Sequence, residues 1–419
     1  MKKILVKIGF LTFGIIFSMT GRALELPHFP QTSQLSNSIT APKSPFARLS
    51  LATGSGHTCA LLSNGTVKCW GQNNFGQLGF DTGGRDQAQP TLVPNLSGVL
   101  QITAGSVHTC ALITGGIAKC WGGNFSGQLG DGTRVSKPAP TTVSNLSDIS
   151  SIQAGTSQTC AIAGGNVSCW GKQVLHSYKK PNPFPLSITP PYSTISEYVD
   201  SPLPLGTGVS QAKRLAIGIN FNCALLNEGK VACWGNNELG QLGLENALSN
   251  RNPVFLPDLE NVIQIDAGPE HACAVLSDHT LKCWGSNHSG QLGLDSVTTE
   301  YGQELPQPNE VSSPTTVPNL NGVSQVAAGG VHTCALLDNG QVQCWGDNNA
   351  GQIGNGKFEA AFSPNEVNGL SEAKSLSSFG GHTCAVLSDV SIACWGLNEN
   401  GQLGIQGVWG SREPVTINL

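Results

Sequence analysis

The stretch CALLSNGTVKCWG, residues 59–71, sets two cysteines ten positions apart and follows the second with Trp-Gly. Near-copies recur to the end of the chain, with the first cysteine at 59, 110, 160, 223, 273, 334 and 384, at intervals of 51, 50, 63, 50, 61 and 50 residues. A period near 50 with several short apolar runs per unit is the signature of a β-propeller, whose four-stranded blades take roughly 40–50 residues each. The fifth unit displays the runs: PVFLP (253–257), VIQIDAG (262–268), HACAVL (271–276) and TLKCWG (280–285). Seven copies predict an all-β, closed, seven-bladed propeller over residues 47–419. The last unit stops after PVTINL (414–419), and a matching inner run, ARLSLATG (47–54), stands at the other end. The expectation is that N- and C-terminal strands complete one blade together and so remove an exposed sheet edge.

The cysteine spacing follows from hairpin geometry. Between Cys59 and Cys69 the turn is Ser63-Asn64-Gly65, and a three-residue loop with a left-handed third position wants Gly there. That register pairs Leu62 with Thr66, Leu61 with Val67, Ala60 with Lys68 and Cys59 with Cys69. In the third unit the spacing shrinks to nine, Cys160 to Cys169, and the turn to Gly164-Gly165, a two-residue hairpin signal. The cysteines still face each other. Opposed residues at non-hydrogen-bonded sites lie ~4.5 Å apart at Cα, within reach of a disulfide. The expected bridges are Cys59–Cys69, Cys110–Cys120, Cys160–Cys169, Cys223–Cys233, Cys273–Cys283, Cys334–Cys344 and Cys384–Cys394. Reduced thiols packed as small apolar residues are the alternative. Zinc fits poorly, because no C-x2-C pair occurs. His279 and Val390 take the left-handed turn position in the fifth and seventh units; for a β-branched Val the expectation is a different turn.

Residues 1–23 read as an export signal, with Lys2 and Lys3 ahead of an apolar stretch from Ile8 to Met19 and small residues near Gly21-Arg22-Ala23. That stretch is too short for a stable membrane span, which needs ~20 residues. Residues 24–46, rich in Pro, Ser and Thr, read as a tether. Of the 22 basic residues, Lys2, Lys3, Lys7 and Arg22 would leave with the signal, so 18 remain against 27 acidic. That balance argues against nucleic acid, whose affinity rests on cations neutralising phosphates. Fourteen cysteines in seven pairs behind an export signal fit an oxidising compartment, periplasmic or secreted.

The fuller pattern, G-x-x-H-T-C-A-L followed by G-x-V-x-C-W-G-x-N-x-x-G-Q-L-G, stands almost whole at 54–79 and 329–354. Apart from its cysteines it resembles the repeat of the regulator-of-chromosome-condensation family over residues 47–419. The resemblance implies a seven-bladed propeller. The founding member of that family is a nucleotide exchange factor for the small GTPase Ran. Plant photoreceptors, ubiquitin-ligase parts, secreted bacterial enzyme inhibitors and host-directed bacterial effectors share the repeat, so it specifies a scaffold rather than a task.

The recurring His57, His108, His271, His332 and His382 invite a metal-ring reading, yet one per blade at an equivalent position fits packing or blade-internal hydrogen bonds better. The seven Trp of the C-W-G motifs read as core, and the Asn that opens each N-x-x-G-Q-L-G as a turn former. No calcium loop, phosphate-binding loop or G-x-S-x-G nucleophile motif occurs, and no cofactor or catalytic constellation is implied. The breaks in the repeat are more informative. Residues 172–208 abandon the pattern and carry Lys179, Lys180, Phe184, Tyr192 and Tyr198 among prolines, and a second insertion, 297–312, carries Tyr301. Aromatics on a stiff segment suit a protein interface, against the alternative of two tolerated loops. The sequence therefore points to an exported, non-enzymatic, disulfide-stapled propeller that presents blade loops to a protein partner. The alternative is a bacterial effector that promotes nucleotide exchange on a host small GTPase.

Overall fold

The computed structural model describes residues 49–179, 192–205, 209–245, 249–294, 297–298, 304–305 and 308–419. Within them the chain makes seven blades of antiparallel strands: 50–92, 99–142, 149–204, 212–255, 262–316, 323–366 and 373–417. Blade 1 is typical, with Ser50–Thr53 innermost, then His57–Leu61, Val67–Gly71 and Gln87–Leu92 outermost. The second strand is buried along its whole length because neighbouring blades cover both its faces, which is why it reads as small and apolar residues without alternation. The outermost strands carry Pro90, Pro138, Pro140, Pro253, Pro314, Pro364 and Pro414, and an edge tolerates the missing N–H that a central strand would not. The predicted hairpin registers are all present, Cys59 opposite Cys69 and Cys160 opposite Cys169 included. All seven cysteine pairs are disulfide-bonded, each with Cα atoms 4.1 Å apart.

The ring is closed, but not by a shared blade. Residues 50–53 pair with 58–61 inside blade 1, and Gly410–Ile417 pairs with Ile392–Leu397 inside blade 7. The blade boundary falls after the PVxxP-like strand rather than before it, so PVFLP belongs to blade 4 and each blade is one continuous segment. Side-chain packing closes the seam between blades 7 and 1. Ala60 and Trp70 sit in one cluster with Cys384, Ile392, Cys394, Leu403 and Ile417.

A repeated polar relay crosses the seams. His57 Nε2 bonds Thr109 Oγ1 of the next blade at 2.8 Å, and His108–Thr159, His271–Thr333, His332–Thr383 and His382–Thr58 repeat it at 2.8–2.9 Å. Thr109 Oγ1 and Trp121 Nε1 both donate to the Gln77 carbonyl of the preceding blade, at 2.8 and 3.0 Å. The histidines thus serve hydrogen bonds, but between blades, not within them as the repeat alone suggests. The two seams without a His–Thr pair change both partners. Phe221 meets Ala272 in an apolar cluster, and Gln158 stands beside Asn222. In the left-handed turn position, Val390 (φ 68°) keeps the same hairpin as Gly65 (φ 78°), with Leu387 N–H to Ser391 O in place of Leu62 N–H to Thr66 O. The expected change of turn type does not occur. Asp389 Oδ1 holds the loop by accepting from Ser391 N and Oγ.

The seven innermost strands line an axial channel that encloses about 440 Å³. Their outward-turned backbone edges are met by side chains of the preceding blade. Gln101 brackets Ile152 in this way, accepting from its N–H at 3.1 Å and donating to its carbonyl at 2.7 Å; Gln264 and Gln325 do the same to Val326 and Leu376. Asp266, half-buried on the wall, accepts from Ala328 N–H at 2.9 Å, and desolvation raises its pKa to about 7.

Candidate protein-binding face

In a four-stranded antiparallel blade the connection from third to fourth strand emerges on the same end as that from first to second. Six blades fill this end with the N-x-x-G-Q-L-G turn. Asn73 builds the first: its Oδ1 accepts from Leu78 N at 2.9 Å and its Nδ2 donates to Phe80 O at 3.0 Å. The Oδ1 contact recurs at Asn124, Asn237, Asn287, Asn348 and Asn398. The asparagines are turn formers, and the seven C-W-G tryptophans are fully buried or nearly so.

Blade 3 departs from this plan. Its third and fourth strands, Asn166–Lys179 and Tyr192–Pro204, run on past the blade as one antiparallel ribbon. From Gly171 to Lys179 the ribbon spans roughly 25 Å. The described parts of the 172–208 segment are therefore strand rather than loop: 172–179 pairs with 192–198, and 199–204 is the outer strand of blade 3, with Leu203 opposite Cys169. Prolines hid this, because those at 202 and 204 occupy an edge where they do no harm. In blade 5, likewise, 310–312 belong to the outer strand Glu310–Thr316, and Val297–Thr298 pairs with Glu304–Leu305 as a minor hairpin.

The ribbon is braced at its base by both neighbours. From blade 2, Arg134 Nε reaches Asp200 Oδ1 at 2.8 Å, its Nη2 donates to Tyr198 O at 3.2 Å, and its guanidinium lies 5.4 Å over the Tyr198 ring. Gly132 N–H donates to Asp200 O at 3.0 Å. From blade 4, Arg251 pairs with Glu197 at 3.0 Å, and Asn250 pairs with His176 in a bridge that joins the sheets of blades 3 and 4. This bracing replaces what the missing turn would supply. Trp234, left without a Gln carbonyl, finds its acceptor in Asn222: turned to satisfy its neighbours, that amide accepts from the indole at 3.1 Å.

Of the residues singled out from sequence, Lys179 and Tyr192 are backbone partners near the far end of the described ribbon, and Tyr198 lies exposed at its base. Lys180, Phe184 and Tyr301 fall outside the described residues. Sequence reasoning missed Arg134, Arg251, Glu197 and Asp200, whose pairings join blades and leave no local pattern. It also missed two aromatic pairs on this end, half-buried Phe75 with exposed Phe125 (5.1 Å, edge-on) and exposed Phe358 with exposed Trp409 (5.8 Å, stacked). Trp409 carried a usable signal, being the one tryptophan of eight outside a C-W-G motif. Among the described residues no helix is long and apolar enough to cross a membrane.

Two family models for the regulator of chromosome condensation (RCC1) repeat match the chain, one at 49–77, 99–128, 212–241, 262–291 and 323–352, the other at 64–112, 120–162, 228–275, 278–336 and 339–387. Human probable E3 ubiquitin-protein ligase HERC4 is 42% identical over 82 residues, 19% of this chain and 8% of that protein. Protein pim1 of Schizosaccharomyces pombe is 26% identical over 205 residues, 46% of this chain and 38% of that one. The matches thus span well under half of these relatives. Among solved structures, Prp20p from Saccharomyces cerevisiae superposes with a TM-score of 0.70 at 23% identity, covering 86% of this chain and 87% of that one. Prp20p binds Gsp1p and histones. Human WBSCR16 superposes with a TM-score of 0.67 at 21% identity, covering 81% and 87%. At these identities the likeness is one of fold.

Proposed function

This chain belongs to the regulator of chromosome condensation (RCC1) repeat family, and from that premise we propose that it is an exported, non-enzymatic binding protein whose blade-3 ribbon takes a protein partner. The observation that carries this reading is the ribbon itself. One blade of seven gives up the shared turn for an extended two-stranded arm, and charged pairs from both adjacent blades fix its base. An arm held rigid before binding loses little entropy on binding. Export is supported by the leader-like composition of residues 1–23 and by seven disulfides, which suit a non-reducing compartment. Lys179 and Lys180, with Phe184, Tyr192 and Tyr198, give the arm a basic, aromatic character, and an acidic protein surface is its complement.

The second reading, nucleotide exchange on a host small GTPase, is favoured by the same arm, since a segment projecting from one blade is the device that the family's founding member uses. The two readings separate in one experiment. Joining Val174 to Ser196 through an Asn-Gly turn removes the distal ribbon and keeps the outer strand 199–204 and the Glu197–Arg251 pair. Protein lacking the leader, intact or shortened, is used to capture partners from envelope extract and host lysate, and to accelerate nucleotide release from small GTPases, Ran included. Capture that disappears on shortening, without any effect on release, is the expected result. Accelerated release that disappears on shortening favours exchange. A partner captured equally by both forms contradicts the assignment of binding to the ribbon.

A further inference from the structure

Seven of the eight tryptophans are buried in the blades; Trp409 is 54% exposed. Its loop is nonetheless held firmly. Asn398, itself buried, anchors it: its N–H donates to Trp409 O at 2.7 Å and its Nδ2 to Val408 O at 2.8 Å and Ile405 O at 3.1 Å. Phe358 of blade 6 stacks on the indole at 5.8 Å with 20° between the rings, and Arg412 lies 5.7 Å over Phe358. An indole fixed in water by backbone anchors and an aromatic neighbour gives up hydrophobic stabilisation that burial would provide.

Beside Trp409 a cleft of about 500 Å³ opens across the seam between blades 7 and 1. Its apolar lining comes from Trp409, Val408 and Ile405, and its charged lining is Asp86 and Glu399, both exposed. No Lys or Arg lines it among the described residues. Asp86 is fixed by accepting from Asn73 N–H through Oδ1 at 3.1 Å. Arg85 precedes Asp86 in the chain but is not part of the lining, and Arg412 and Lys357 belong to the Phe358 side and to a separate cleft. An aromatic wall with two carboxylates and no cation in its lining is complementary to a cationic side chain, which gains from the ring's quadrupole and from both acids.

We propose that this cleft binds an arginine or lysine side chain of an extended basic peptide, at a site separate from the blade-3 ribbon and independent of what the ribbon binds. The test uses the chain without its leader and an oligoarginine peptide at low salt, read by tryptophan emission. Trp409 supplies the solvent-exposed component because the other seven indoles are buried. Saturable quenching of that component is expected, with binding by calorimetry weakened at least about tenfold by Trp409→Ala and by the double change Asp86→Asn, Glu399→Gln. A control with the same charge removed on the opposite end, Glu228→Gln with Glu260→Gln, should bind as the parent does. Equal weakening in the control means only net charge attracts the peptide, and the proposal fails. It fails too if a neutral oligosaccharide quenches the exposed emission as well as oligoarginine does, which would make the cleft a sugar site.

Discussion

Acidification from pH 7 to pH 4 is expected to destabilise the propeller more than any single substitution. The five seam histidines are fully buried, and desolvation lowers their pKa to about 3 for His57, His108, His332 and His382 and about 4 for His271, against 6.5 unperturbed. The hydrogen bonds explain why a second proton has no place. Thr109 donates its hydroxyl hydrogen to Gln77 O, so it must accept from His57 Nε2–H, and Nδ1 meets no partner among the described residues. Below pH 6.5 the unfolded chain takes up protons that the folded ring refuses. Stability is therefore full above 6.5 and falls as pH drops towards the folded values, by up to about 1.4 kcal/mol per pH unit for each histidine. Asp266 runs the other way: its raised pKa contributes stability that is full below about 4 and lost as pH rises to about 7. Five groups outweigh one. Urea unfolding at a series of pH values measures the slope, and His→Gln at 57, 108 and 382 should flatten it, since Gln158 shows that glutamine is accommodated at this position. An unchanged slope in the triple variant would contradict the account.

The second large effect is expected at the seam between blades 7 and 1, the last and the first of the ring. Trp70 is fully buried, its Nε1 donates to Gln402 O at 2.9 Å, and it packs on Ile392, Leu403 and Ile417 of blade 7. Trp70→Ala should cost about 3–5 kcal/mol through the cavity and the unpaired carbonyl. Every other seam is also held by a covalent connection between adjacent blades; this one rests on side chains alone, so the same change should also speed proteolysis of blade 7. Trp409→Ala removes an exposed indole and should stay within about 0.5 kcal/mol. Comparable urea midpoints for the two variants would mean that the ring does not close here.

Most of the fold was legible because each blade repeats the same local constraints. Paired cysteines, a Gly-bearing hairpin and the Asn turn each fix a register within about ten residues. The blade boundary was not legible, since a strand order repeated around a ring looks the same wherever the count begins; only the pairing of 50–53 with 58–61 settles it. The seam relay was half visible. His57 and Thr109 lie in copies of one motif, but their contact joins neighbouring blades, and only the paired loss of both partners, at Phe221 and Ala272 and at Gln158 and Asn222, hints at it. The ribbon was visible as a break in the repeat but not as strand, because Pro202 and Pro204 lie on an edge strand that tolerates them. Arg134 and Asp200 meet across 66 residues, beyond any local pattern.

The most direct test of a disulfide-stapled propeller matured outside a reducing compartment is non-reducing peptide mapping of the protein recovered from its natural location. Seven cross-links are expected, each within one hairpin: 59–69, 110–120, 160–169, 223–233, 273–283, 334–344 and 384–394. Free thiols throughout, or links between hairpins, would contradict it.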